Sequence, residues 1–210
     1  MSITMRIPER SCLSAALLCY VALSCRPTPA PQPQPRPTVA VSPQDAFWNG
    51  LQSLCGRAFT GQMTEGSPGD SAFRRATLTM HVRTCTPTEI RIPFHVGADR
   101  SRTWVLTRIE GGLRLKHDHR HADGTEDPIT QYGGDTRGTG TPTRQEFFAD
   151  AHTATLIPAA RTNVWTVEIV PASDRFAYAL RREGTDRRFR VEFDLKTPVT
   201  LPPPPWGSSP

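Results

Sequence analysis

The sequence predicts a mainly β protein: an antiparallel meander barrel of 8 to 10 strands preceded by a short N-terminal helix. Three observations predict it. From residue 57 onward apolar and polar residues alternate with period two, the spacing of half-buried strands. The alternating runs are separated by short turns such as "GADR" at 97–100, "EGG" at 110–112 and "EGTD" at 183–186, which suit antiparallel hairpins. The one clear helical period comes first, at 42–56. A helix followed by sequential hairpins favours a closed barrel with the helix plugging one end, over a two-sheet sandwich.

The helix is predicted from "SPQDAFWNGLQSLCG". Ser42 caps it, Pro43 occupies the first turn, Phe47, Leu51 and Leu54 share a face, and Gly56 ends it. The strands follow at 57–63, 76–83, 88–96, 101–109, 112–121, 127–132, 163–170, 175–182 and 187–195. Residues 138–160 are the least regular. "TRQEFF" at 143–148 reads as a further strand and "ADAHTATLIPAA" at 149–160 as a helical turn. "YGGDTRGTG" at 132–140 is dense in glycine and reads as a long hairpin loop or a lid.

The ends of the chain read differently. Arg6 and Arg10 precede "CLSAALLCYVAL", an apolar run of secretory-signal length that is too short to span a bilayer. Residues 1–24 are therefore expected to be a signal peptide. The run ends in "ALSC", which resembles the lipobox of bacterial lipoproteins, with Ala22 where leucine is usual. The resemblance implies lipidation at Cys25, a membrane partner through that anchor, and a place in the cell envelope, at the outer membrane or the periplasmic face. Residues 25–42 then carry proline at every second position from Pro27 to Pro37 and read as an extended spacer. The domain is expected over 43–199, with 200–210 as a proline-rich tail.

The formal charge is +5 and nearly all cations are arginine. Arginines alternate with acidic residues in "EGTDRRFR" and "RRFRVEFD", which makes a solvated, ion-paired face and argues against a nucleic-acid partner. Cys12 and Cys19 lie in the signal and Cys25 takes the lipid. Cys55 and Cys85 remain, an even pair in an oxidising compartment, so a disulfide is expected. A hairpin centred on Asp70 would set 55 opposite 85, and closing that loop is worth about 3 kcal/mol.

The entry "WNGLQSLCGRAFTG" at 48–61 and the run of hairpins after it resemble the calycin superfamily, the lipocalins and their relatives, in layout. The lipocalin GxW signature is absent. "MHVRTC", "IRIPFHVGADRSRTWVLTR", "LKHDHRHADG" and "TQYGGDT" resemble a group of uncharacterised bacterial secreted proteins, a resemblance that implies no activity.

"GGLRLKHDHRHADG" at 111–124 carries the candidate site. On a strand, Leu113, Leu115, His117, His119 and His121 share one face and Arg114, Lys116, Asp118 and Arg120 the other. The charged face must be outside, so the histidines are expected inside, approaching the barrel mouth near Asp123 and Gly124. Leu115, Trp104 and the three histidines are the expected ligand-binding residues. Histidines two apart lie roughly 6.6 Å apart and allow a shared ion, whereas His117 and His121 are roughly 13 Å apart and do not. A Zn or Cu site would need another donor. A two-residue turn would bring Glu126 opposite His121, with His81 or His95 as further options.

There is no G-x-S-x-G elbow, phosphate-binding glycine loop or HExxH. Two classes follow. The first is a non-catalytic envelope lipoprotein, a monomer without cofactor, whose barrel holds a small ligand or supports an envelope partner. The second is a metal-binding protein or metal-dependent enzyme using His117, His119, His121 and Glu126.

Overall fold

In the computed structural model, which describes residues 40–208, the chain after the spacer forms eleven strands. They are β1 (Ala58–Glu65), β2 (Leu78–His81), β3 (Thr84–Cys85), β4 (Glu89–Val96), β5 (Asp99–Ile109), β6 (Gly112–His119), β7 (Tyr132–Asp135), β8 (Arg144–Ala149), β9 (Asn163–Val170), β10 (Arg175–Arg182) and β11 (Arg188–Asp194). Every pairing is antiparallel, and all join sequence neighbours except β1–β11 and β2–β4. Because β2 pairs with both β1 and β4, ten strands close into an up-and-down barrel and the two-residue β3 is left as an addition to β4. The expected signal peptide, Cys25 and most of the spacer lie outside the described residues.

Helix α1 (Pro43–Gln52) forms for the reasons its sequence suggests. The Ser42 hydroxyl accepts from the Asp45 amide at 3.0 Å, and Pro43 opens the first turn. Its apolar face sinks Phe47, Trp48 and Leu51 into the barrel core. Asp45 also binds Arg108 of β5 at 2.6 Å, and that guanidinium lies over the Trp48 ring. The helix therefore seals the end where β5 turns into β6. Two-residue turns at Gly97-Ala98 and Glu110-Gly111 join the neighbouring hairpins, each with its glycine at positive φ. Two shorter helices serve the opposite end: α2 (Ser71–Arg75) in the β1–β2 connection and α3 (Ala151–Leu156) after β8.

Strands and helical turn are found where expected between 143 and 160. Residues 127–131 are not strand, however; pairing resumes at Tyr132 and runs through the glycines of "YGGD". A Cβ on Gly133 would lie 2.0 Å from the Leu115 carbonyl oxygen, and one on Gly134 1.7 Å from that of Phe148. The two glycines thus mark a close approach between strands, and the loop is only its second half.

Cys55 and Cys85 form the expected disulfide, with Cα atoms 6.3 Å apart. The hairpin register beside it is one residue off the expected one. Ala58 faces His81, so the β1–β2 pairing centres between Gly69 and Asp70, and Cys85 has already left for β3. The bridge joins the end of α1 to that departing segment.

The proline-rich tail packs against the barrel. Val199 donates to the Ala58 carbonyl at 2.8 Å, the Arg100 guanidinium donates to the Pro204 carbonyl at 2.9 Å, and Trp206 donates to the Arg100 carbonyl at 3.1 Å. A polyproline segment leaves its carbonyls free and loses little entropy when it docks. Arg100 takes up one of those carbonyls.

Removing the disulfide with paired Cys55→Ser and Cys85→Ser substitutions should cost about 3 kcal/mol in urea unfolding, with neither cysteine of the native oxidised protein labelled by a thiol reagent before reduction. Free thiols in that protein would contradict the bridge.

Candidate functional site

The unsealed end of the barrel holds a cavity of about 240 Å³. Strand parity builds it. On β5, Arg102 and Trp104 face inward; on β6, His117 and His119; on β9, Asn163 and Trp165; on β10, Tyr178, Leu180 and Arg182. In the β5–β6 register Trp104 faces His117 and Arg102 faces His119. In the β6–β7 register His117 faces Tyr132.

Aromatic rings form the floor. Trp104 stacks between Phe94 and Tyr178, with centroids 4.6 and 4.4 Å away, and the His117 ring stacks on Tyr132 at 4.4 Å. Below that layer Leu106, Leu115, Phe176 and Phe193 are buried in the barrel core. Leu115 therefore packs beneath the cavity instead of lining it.

A chain of hydrogen bonds runs through the floor, and its direction can be assigned. His117 is 3% exposed. Its Nδ1 lies 3.0 Å from the Tyr132 carbonyl, which only accepts, so Nδ1 carries the proton and donates. Its Nε2, 2.7 Å from the Tyr178 hydroxyl, must then accept. Burial holds the His117 pKa down at about 3, against the smaller upward pull of the Tyr132 carbonyl, and so keeps the ring neutral. Burial also pushes Tyr178 up.

His119 stands at the rim. Its Nε2 lies 3.2 Å from the Tyr132 hydroxyl, and burial, then the charge of Arg102, lowers its pKa to about 4. The Tyr132 hydroxyl, buried as well, rises to about 12. Both groups are neutral at pH 7.

Two side walls are pinned by polar contacts. On one side Arg187 grips both oxygens of Asp70, the Nη2–Oδ1 contact being 2.8 Å, and anchors the turn that presents Phe73. Phe73 meets the Phe189 ring edge-on at 5.0 Å and lies under the Arg102 guanidinium. On the other side Ile157 and Ala160 close the cavity. That segment is held by Thr153, whose hydroxyl accepts from the Gly133 amide and donates to the Gly133 carbonyl, both at 2.7 Å. Lys116 pairs with Asp150, the cap of α3.

The expected row of three histidines is a row of two. The regular strand ends at His119, and the backbone turns so that the His121 amide donates to the Thr125 carbonyl and the imidazole is exposed. The turn is also one residue off the expected register. Glu126 faces Arg120 and pairs with it at 3.1 Å, away from His121. Parity from the buried Met80 and Phe94 puts His81 and His95 on the outer barrel face, where both are buried and burial lowers both pKa values. Among the described residues no group of three or more His, Cys, Asp or Glu side chains converges as metal ligands would. The expected Zn or Cu set of His117, His119, His121 and Glu126 is not brought together.

The outward charged face is as expected, and ion-paired. Arg114 binds Asp135 at 2.7 Å, and Asp118, only 5% exposed, binds Arg91 at 2.6 Å and Arg120 at 3.0 Å.

Tyr132, Trp165, Tyr178, Arg182 and the Asp70–Arg187 pair were not anticipated as site residues. For β10 a signal existed. Phe176, Tyr178, Leu180 and Arg182 follow the same period two as the histidine strand, which puts an arginine at the open end. Asp70, Phe73 and Ile157 sit on connections with no such period.

No protein-family model, curated protein or solved structure matches this chain. The likeness to the calycin superfamily stays one of layout, an up-and-down antiparallel barrel, and carries over no residue's role.

The neutral His117 sets a pH dependence. Its folded pKa lies below the unfolded value near 6.5, so its contribution to stability is full above pH 6.5 and is lost as the pH falls from there toward 3. His117→Gln should lower the slope of unfolding free energy against pH, between pH 4 and 6, by close to one proton, about 1.4 kcal/mol per pH unit. Urea unfolding across that range measures it; an unchanged slope would show that His117 titrates normally.

Proposed function

We propose that the protein is a non-catalytic binding protein that holds one small molecule in the open end of its barrel. The observation that carries this reading is the asymmetry of the two ends. One is plugged by α1, while the other keeps a cavity of about 240 Å³ above an aromatic floor. Barrels of this size enclose one small ligand, and pockets of mostly apolar lining with a few placed polar groups are the common form of a binding site.

The state of the polar groups favours binding over catalysis. Both nitrogens of His117 are engaged, Nδ1 with the Tyr132 carbonyl and Nε2 with the Tyr178 hydroxyl. A general base needs a free lone pair within reach of a substrate proton. His117 offers none without breaking the chain that holds the floor. The metal-dependent alternative has less support, since Glu126 is committed to Arg120 and His121 is exposed and outside the cavity lining.

The anchor belongs to the same proposal. A lipid on Cys25 and the proline spacer would hold the barrel off an envelope membrane as a tethered monomer. Cys25→Ala should release the mature domain into the soluble fraction of the producing cells; membrane association that persists in the variant would overturn the anchor.

The cavity is tested with a filled variant. Leu180 lines it and is only partly buried, so Leu180→Trp should occupy the space at a stability cost of about 1–3 kcal/mol. Trp104 and Trp165 report binding by their fluorescence. The neutral probe 2-naphthalenemethanol should quench wild type and not Leu180→Trp. Equal quenching of both, or of neither, would sink the binding reading.

A further inference from the structure

From the charges and shape of the cavity we infer that its ligand is a planar aromatic anion of one or two fused rings, with the ring plane on the floor and its carboxylate at Arg182. The inference rests on the binding reading above and adds the chemical class. Three features carry it.

The first is depth. Trp104 and Tyr178 close the cavity from below, and the buried side chains of Leu106, Leu115, Phe176 and Phe193 pack beneath them. The space is about eight times a water molecule's share of the liquid, about 30 Å³. A compact flat ring system suits a space of that size, whereas a long alkyl chain would have to continue out into solvent.

The second is the state of the floor. Tyr178, His117 and the Tyr132 carbonyl are hydrogen-bonded to one another and Trp104 stacks on Tyr178, so the buried end of a ligand meets mainly ring faces. An apolar, polarisable surface is what such a floor favours. A polar group placed there would lose its hydration with nothing in return.

The third is the imbalance of charge at the rim. The lining holds three guanidiniums, of Arg102, Arg182 and Arg187, and one carboxylate, Asp70. Arg187 is taken by both oxygens of Asp70. Arg102 donates to Asp99 at 2.5 Å. Asp127 stands on that same side and acts on His119 and Tyr132. Across the mouth, at the end of β10, Arg182 has only a neutral partner among the described residues: its Nε donates to the Asn163 amide oxygen at 2.9 Å. Arg182 is the guanidinium of the lining that pairs with no carboxylate, and its two Nη groups remain for a ligand. A planar fork of that kind matches a carboxylate. The carboxylates Asp99 and Asp127 repel an anion from the β5–β6 side and set the ligand's direction.

Three probes matched in size or charge test the class: 2-naphthoate, its neutral counterpart 2-naphthalenemethanol, and decanoate, an unbranched anion. Titrated against tryptophan emission and checked by calorimetry in low salt, wild type should bind 2-naphthoate about tenfold or more tighter than the alcohol. Decanoate should bind more weakly than 2-naphthoate. Arg182→Gln should remove the advantage of naphthoate and leave alcohol binding within about twofold, which separates a lost charge contact from a damaged fold. If the alcohol binds, Leu180→Trp abolishes it, and naphthoate gains nothing over it, the aromatic-anion inference falls while the small-ligand reading stands. Decanoate binding tighter than naphthoate overturns the planar ligand in the same way. If none of the three binds, both readings fall together.

Discussion

The architecture depends on β2 finding two partners. It is four residues long, yet it pairs with β1 on one side and β4 on the other, and that double pairing is what turns a row of hairpins into a closed barrel. Without it the sheet would end in two exposed edges, each a row of unpaired amides and carbonyls. The Cys55–Cys85 bridge lies beside this seam, joining the segment that enters β1 to the segment that leaves β2. So the covalent link sits where the least hydrogen bonding has to achieve the most.

Closure poses a second requirement, because a barrel has two ends. α1 answers it at one end with Phe47, Trp48 and Leu51, held by the Asp45–Arg108 contact. At the other end no helix of that kind enters. The short α2 and α3 segments stand at the sides, each pinned by a polar contact, and leave a space between them. The cavity is thus the consequence of capping one end fully and the other only around its margin. Its floor is ordered for a related reason: a buried polar chain in which His117 uses both ring nitrogens allows few alternative arrangements.

Much of the fold was legible in the sequence. Period two in "TWVLTRI", "LRLKHDH" and "FAYALRR" gives strand and facing together, and the glycine-bearing turns impose antiparallel order. The same pattern legibly put His117 and His119 inside. It failed at His121, since the alternation persists in the letters after the backbone has turned away at Arg120. It failed again at "DPITQY", where the strand begins at Tyr132 and continues through Gly133 and Gly134. Glycine reads as loop in one dimension, whereas here the neighbouring carbonyls of Leu115 and Phe148 leave no room for a side chain.

By itself, then, the sequence determined the class of fold, the capped helix, the disulfide partners and the inward direction of His117, His119 and Trp104. These follow from local chemistry: alternation, turn residues, a cap and the number of cysteines in the domain. What only the tertiary structure decided is which side chains from distant strands meet. The stack of Trp104 on Tyr178 and the Tyr178–His117–Tyr132 chain draw on β5, β10, β6 and β7, and the contrast between the committed Arg187 and the uncommitted Arg182 depends on where Asp70 lands. Such meetings are set by register and closure across more than a hundred residues of chain. A one-residue slip, as at Ala58 and His81 or at Arg120 and Glu126, changes them without changing any local pattern.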